Sequence, residues 1–245
     1  MKVDVVNFSN NIPDEKMNGS VVLLIDVLRC TSCIVTALAN GASSVVVFAG
    51  VDEARNYAER LGRANCVLGG ERHALPIEGY DVGNSPLQYD VNTVSGKTAI
   101  MSTTNGARAI SGIMGAYRTL IAAHINHFAA ARDAVSFGRD ILIICSGTNG
   151  EVSADDVVTA GAIVSDIANL TTDVAPTDSA IISMEMYKQF SKGEFDLKST
   201  LHCKRLMSLG ENYRADVEYC FRENIIDLVP CCVGKTDDGL GSVIR

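Results

Sequence analysis

No apolar run in this 245-residue chain approaches the roughly 20 residues needed to cross a bilayer, so no membrane-spanning role is expected. The opening Met-Lys-Val-Asp-Val-Val-Asn alternates like a strand and lacks the apolar core of a secretory signal, so the expected location is cytoplasmic. An excess of positive charge is also missing. The formal net charge is −8 at pH 7, which argues against nucleic acid or an anionic membrane surface as the partner. The eight cysteines show no regular disulfide spacing; Cys66, Cys145 and Cys220 stand in apolar contexts and read as reduced, buried small hydrophobes. No second CxxC accompanies Cys30-Thr31-Ser32-Cys33, which excludes a structural zinc site of paired CxxC type. Leu28 stands where a D-x-D phosphatase would carry its second Asp after Asp26. No stretch reads as an interdomain linker, and residues 1–245 are expected to form a single domain, with position 171 the one place where a subdivision could fall.

What is present is an ordinary globular composition, 47% hydrophobic and 20% charged, long enough for a substantial core. Short β-rich runs alternate with helical patterns. Strands are expected at Val3–Phe8, Val21–Val27, Ser44–Phe48, Cys66–Leu68, Thr98–Ser102, Arg118–Ala122, Ile141–Cys145 and, late in the chain, Ile225–Val229. Helices are expected at Ser32–Asn40, Asp52–Leu61, Ala107–Gly115, Ile125–Phe137, Ala154–Leu170, Asp178–Phe190 and Glu211–Arg222. The strands near Val21 and Ile141 are almost continuously apolar, as when helices cover both faces of a sheet. The fold class is α/β: a mainly parallel sheet in an α/β/α sandwich, with a more helical C-terminal third.

Three segments share one layout, an apolar strand running into a loop of hydroxyls, Asn and Arg with a helix behind it: Ser20–Ala42, Lys97–Ala116 and Asp140–Val164. In one parallel sheet these loops emerge at the carboxyl edge, where open α/β sheets bind ligands and helix N-termini favour anions. Asp26, Arg29, Thr31, Ser32, Thr103, Thr104, Asn105 and Arg108 are expected to converge there on a small anion. Thr31 and Ser32 also suit helix capping, and Gly106 permits close backbone approach. Asp26 ends a buried strand, where a carboxylate needs a partner or a cation.

A long polar loop, Gly69 to Pro86, adds Glu71 as a metal-ligand candidate, Arg72 as an anion clamp, and Asn84-Ser85-Pro86 as a helix start. Asp155 and Asp156 open the third helix; capping explains one and leaves one for a cation. Asp26, Glu71 and Asp156 are the expected ligands of Mg²⁺, which prefers hard oxygens. Two rivals stand beside this enzyme reading: a thiol-redox protein built on Cys30 and Cys33, and a non-catalytic binder of a small anion. Cys66 to Arg72 also fits C-x5-R, but Glu71 would place a negative charge inside that phosphate loop.

The stretches Asp26–Ser32 (DVLRCTS), Gly70–Arg72 (GER), Gly79–Pro86 (GYDVGNSP), Thr103–Ala109 (TTNGARA) and Cys145–Asp156 resemble, in order and spacing, the 2-phosphosulfolactate phosphatase family of the coenzyme M pathway. The resemblance spans roughly residues 20–165 and is looser beyond. It implies an α/β, Mg²⁺-dependent hydrolase that removes phosphate from 2-phospho-3-sulfolactate or a related phospho-hydroxy acid, as a homo-oligomer with a dimer favoured. Cys30, Ala107 and Ser146 stand where the family carries Ala, Thr and Ala, so Cys30 is not expected to be a required nucleophile. The substrate's phosphate, carboxylate and sulfonate would match Arg29, Arg72 and Arg108. Asp26 would bind metal and act as base, with a covalent aspartyl intermediate as the minority mechanism.

Overall fold

Strands that are apolar on both faces must be covered on both faces, and this chain covers them with two sheets and three layers of helix. The computed structural model describes residues 1–9, 12–113 and 115–245. The strands are β1 Lys2–Val6, β2 Val21–Ile25, β3 Ser44–Phe48, β4 Cys66–Arg72, β5 Leu75–Pro76, β6 Thr98–Ser102, β7 Arg118–Ala122, β8 Ile141–Cys145, β9 Ala175–Pro176, β10 Cys232–Lys235 and β11 Ser242–Ile244. The helices are α1 Asp14–Met17, α2 Cys30–Ala39, α3 Val51–Leu61, α4 Val91–Val94, α5 Asn105–Ser111, α6 His127–Ser136, α7 Ala154–Leu170, α8 Asp178–Ser191, α9 Leu201–Met207 and α10 Glu211–Cys220.

The first sheet runs β7-β2-β8-β1-β9, with every pairing parallel. The second runs β10-β11-β3-β6-β4-β5, parallel at its centre and antiparallel at both edges. Period-two alternation sorts each strand between two cores. In β2, Val21, Leu23 and Ile25 pack with Ile141, Ile143 and Cys145 of β8 under α6, α7, Cys203 and Leu206 of α9, and Val217 of α10. The intervening Val22 and Leu24 face the opposite way, with Leu142 and Ile144, onto α2, α5 and the β3 and β6 residues of the second sheet. Helix α2 is buried from Cys30 to Ala37, as a helix clamped between two sheets must be. The outer face of the second sheet closes on Ala54 and Ala58 of α3.

The expected α/β class with parallel strands and a helical late chain is therefore observed, and most strands fall on their expected positions. One does not. Ile225–Val229 forms no strand; it lies irregularly beside β7, with the Ile226 N–H on the Ile125 carbonyl and the Ile121 N–H on the Pro230 carbonyl. Pro230 has no N–H to extend a ladder. The late strands are β10 and β11, which return to the second sheet beside β3. The helix expected at Ala107–Gly115 is α5, Asn105–Ser111, and the part of that expectation at Met114 lies outside the described residues. Residues beyond Thr171 share their cores with the strands: Ala180, Leu206 and Val217 pack with the first sheet, and Ile244 packs between the two. No described helix is long and apolar enough to cross a membrane.

Candidate active site

The carboxyl ends of β2, β4, β6 and β8 face one cavity of about 130 Å³, lined by residues that include Asp26, Arg29, Glu71, Asn84, Thr103, Thr104, Asn105, Thr148, His202 and Arg205. Two sheets contribute to it. The loops after β2 and β8 come from neighbouring parallel strands, whereas Glu71 and Thr103 arrive from the second sheet. A second hollow of about 290 Å³ shares Arg29, Ala74 and Asn84 and holds Ser85, Tyr213 and Asp216.

Asp26 sits at the end of β2, 7% exposed, with Oδ1 accepting from the Cys30 N–H at 3.3 Å. Burial pushes its pKa up to about 6; the Cys30 N–H opposes this, and the charge of Asp155 adds to it. Thr31 and Ser32 are wholly buried and shape this loop without lining the cavity: the Thr31 hydroxyl accepts from the Asp26 N–H at 3.1 Å, and the Ser32 hydroxyl donates to the Val27 carbonyl at 2.8 Å. The start of α5 approaches so closely that a Cβ on Gly106 would lie 2.5 Å from Cys30 Sγ and 2.9 Å from Asp26 Oδ2. Gly106→Ala is therefore expected to cost about 1–3 kcal/mol by overpacking, read as a lower Tm.

Glu71 ends β4 and ties two loops together, Oε1 accepting from the Thr104 N–H at 3.0 Å and Oε2 from the Ala74 N–H at 2.8 Å. The β4–β5 turn carries His73 and Ala74 at φ of 57° and 71°, a left-handed pair that hairpin turns require and non-glycine residues resist. Arg29 holds this turn: it is 5% exposed, donates to the Ala74 carbonyl at 3.0 Å, pairs with Asp216 at 2.6 Å and lies over the Tyr213 ring at 4.9 Å. The Ser85 hydroxyl also donates to Asp216. Asn84 points its side-chain oxygen into buried space with no hydrogen-bond partner among the described residues.

The three arginines expected together are separated. Arg29 lines the cavity, but Arg72 turns back to the Glu71 and Ala49 carbonyls at 2.7 and 2.6 Å, and Arg108 is exposed on α5 and does not line it. The expected Mg²⁺ ligands are divided too. Asp26 and Glu71 line the cavity. Asp156 lies behind it, Oδ1 accepting from the Val27 N–H at 2.9 Å and Oδ2 from the Gly147 N–H at 3.0 Å, and burial drives its pKa well up. Among the described residues these three carboxylates do not form a group whose ligating atoms lie within 4.8 Å of one another.

The sequence reading missed His202 and Arg205, which α9 brings to the cavity from the C-terminal third. His202 Nδ1 lies 3.2 Å from the Thr148 hydroxyl, 3.1 Å from that of Ser153 and 3.3 Å from Asp155 Oδ1. Those contacts leave Nε2 as the nitrogen to address a ligand. Burial alone would lower its pKa, but the hydrogen bond and charge of Asp155 outweigh burial and raise it. The signal was present as a His and an Arg three apart on one helical face.

Both thiols of the CxxC are buried, and burial raises each pKa well above the ordinary thiol value. A redox pair needs an accessible, low-pKa thiolate, so the thiol reading fails at this site. Cys30→Ala is expected to keep kcat on the wild-type order in a steady-state assay, far short of the roughly 10²-fold loss that removing an acid–base group brings. The C-x5-R reading fails by distance: Cys66 and Arg72 stand at opposite ends of one strand, about 20 Å apart at strand rise.

Fold and cavity together fit an α/β enzyme whose polar cleft gathers carboxylates, an imidazole and guanidinium groups. The family model for 2-phosphosulpholactate phosphatase matches residues 6–235. A probable 2-phosphosulfolactate phosphatase of Clostridium beijerinckii is 38% identical over 230 residues, covering 94% of this chain and 96% of its own. Those of Clostridium acetobutylicum and Clostridium novyi are 39% and 40% identical over 230 residues, covering 94% of this chain and 97% and 96% of theirs. The chain belongs to the 2-phosphosulfolactate phosphatase family, a family of phosphoric monoester hydrolases.

Proposed function

We propose that this protein hydrolyses 2-phospho-3-sulfolactate to 3-sulfolactate and phosphate, with Mg²⁺ as its cofactor. The observation that carries the metal is the charge balance of the cavity. Asp26 and Glu71 line it, and Asp155 and Asp156 are buried behind. Arg29, the most buried cation there, is already paired with Asp216. Arg205 and His202 offset part of that charge, and a cation held at Asp26 and Glu71 would let a substrate with three anionic groups approach these two carboxylates.

The donors suit that ion. Asp26, Glu71 and the partnerless Asn84 side-chain oxygen are hard oxygen ligands on one cavity, and Mg²⁺ commonly takes one or two carboxylates and fills its shell with water and substrate phosphate. When bound it neutralises phosphate oxygens and lowers the pKa of water. Asp26 would hold the ion through one carboxylate oxygen and take the proton of the attacking water with the other. His202, whose pKa Asp155 raises against the effect of burial, is placed to give a proton to the departing oxygen of the hydroxy acid. Arg205 at the cavity mouth is the cation placed to meet the carboxylate or sulfonate, while Arg29, held by Asp216 and the Ala74 carbonyl, shapes the wall. Thr104 and Asn105, both half-buried on the cavity, supply polar contacts.

The test is phosphate release from 2-phospho-3-sulfolactate with Mg²⁺ and with EDTA. Turnover is expected with the metal and is expected to fall to background on chelation, returning when Mg²⁺ is restored. Equal rates in EDTA would remove the metal from the mechanism. No release from this or any related phospho-hydroxy acid would remove the substrate assignment.

A further inference from the structure

Outside the active cavity, the turn after β7, the first residue of α6 and the segment after α10 bring His124, His127 and Glu223 together, with one ligating atom from each within 4.8 Å of the others. None of the three lines the cavity. His124 is fully buried, and its Nε2 has no hydrogen-bond partner among the described residues. That nitrogen faces Glu223 Oε1 at 3.6 Å, too long for a hydrogen bond. It is close to the spacing of two donors on one tetrahedral ion, which bond lengths of about 2.0–2.1 Å place roughly 3.3 Å apart.

The surroundings are those of a metal's outer shell. His127 Nδ1 lies 2.6 Å from Asp166 Oδ2, so the proton sits on Nδ1 and Nε2 carries the lone pair with which this ring can ligate. His124 Nδ1 is likewise engaged, 3.2 Å from the Thr159 hydroxyl, which leaves Nε2 as its ligand atom. The rings of Tyr187, Phe190 and Phe221 pack around His124 and exclude water on that side. Glu223 is 48% exposed and provides the way in.

We propose that His124 Nε2, His127 Nε2 and the Glu223 carboxylate bind a borderline transition-metal ion of the Zn²⁺ class, at a site separate from the active cavity. Two imidazoles and one carboxylate are the donor set that Zn²⁺ and Co²⁺ accept and that Mg²⁺ does not favour. Binding displaces the Asn224 amide, which now donates to His127 Nε2 at 3.0 Å. It clamps residues 223–226 to the 124–128 loop, where they are already held by the Ile226 N–H on the Ile125 carbonyl at 3.0 Å and by the Phe128 N–H on Asn224 Oδ1 at 2.8 Å. The ion therefore pins the chain leaving α10 and stabilises the folded state by mass action.

The test is Co²⁺ and Zn²⁺ titration of the metal-stripped full-length protein in excess Mg²⁺, with bound metal counted by elemental analysis and the Co²⁺ d–d absorption recorded. One equivalent per chain is expected, with a higher Tm, in wild type and equally in Asp26→Asn. Glu223→Gln, at an exposed position that does not threaten folding, is expected to weaken binding by tenfold or more. Asp166→Asn is expected to weaken it by about 10–100-fold, and His124→Ala to abolish it. The proposal is overturned by no binding, by binding unchanged in Glu223→Gln and Asp166→Asn, or by a thiolate-to-metal charge-transfer band assigning the ion to cysteines.

Discussion

Asp26→Asn is expected to lower kcat for phosphate release by about 10²–10⁴-fold, the range that removal of a positioned acid–base group brings, while raising the thermal stability of the metal-free protein. The two effects share one cause. Asp26 is a buried carboxylate facing Asp155 and Glu71, and its folded pKa of about 6 lies above the ordinary 3.8. The sign follows from proton counting: between those values the folded state binds more protons than the unfolded state, so stability falls as pH rises through that window and stays lower above it. Asparagine keeps the shape and removes the charge. In EDTA at pH 8 the variant is expected to melt at least about 2–4 °C above wild type, the shift that 1 kcal/mol produces in a protein of this size. Steady-state kinetics and calorimetry on the same preparations check both arms. A variant that keeps wild-type kcat would remove Asp26 from the chemistry, whatever its Tm. Stability bought at the cost of activity is a common mark of a strained catalytic group.

His202→Gln is expected to reduce kcat by about 10²–10³-fold and to flatten the alkaline limb of the pH–rate profile. His202 acts in its protonated form, and its pKa is held above the ordinary 6.5 by Asp155. In wild type, kcat therefore falls as pH rises through that raised value. Asp155→Asn, which keeps the hydrogen bond and removes the charge, is expected to move the limb to lower pH. Glutamine cannot carry the proton, so the variant's residual rate should lose the limb altogether. A profile with the same alkaline limb in wild type and His202→Gln would assign the proton to another group.

Much of this molecule could be read before its structure was known, and the reasons are local. The apolar runs at Val21–Ile25 and Ile141–Cys145 have strand length and lie buried on both faces. The change to a 3.6-residue period after each marks a crossover helix. Asp26, Glu71, Thr103, Thr104 and Asn105 were visible as polar residues at strand ends and Asn84 as part of a helix start in the long polar loop, and all line one cavity. Their neighbours were less legible. Arg72 and Arg108 have the right residue type, but one folds back onto its own strand and the other points to solvent from α5. Residue type does not carry direction. Thr31, Ser32 and Asp156 are polar beside the site because they hold its loops, not because they line it.

Element order, the α/β class and the acidic and hydroxyl-rich chemistry of the strand-end loops were legible in the residues, because these follow from periodicity and composition over short windows. The division into two sheets was not legible there, since an apolar strand pattern says that both faces are covered and not by what. The same holds for α2, whose small buried residues permit it to lie between the sheets. Nor could the sequence place His202. It comes from α9, far along the chain from Asp26, and meets Asp155 and the cavity only because α9 packs Cys203 and Leu206 into the first sheet's core. The pairing of Arg29 with Asp216 and the meeting of His124 with Glu223 have the same origin. Contacts between distant segments are set by which apolar faces bury each other, and that is a property of the assembled fold.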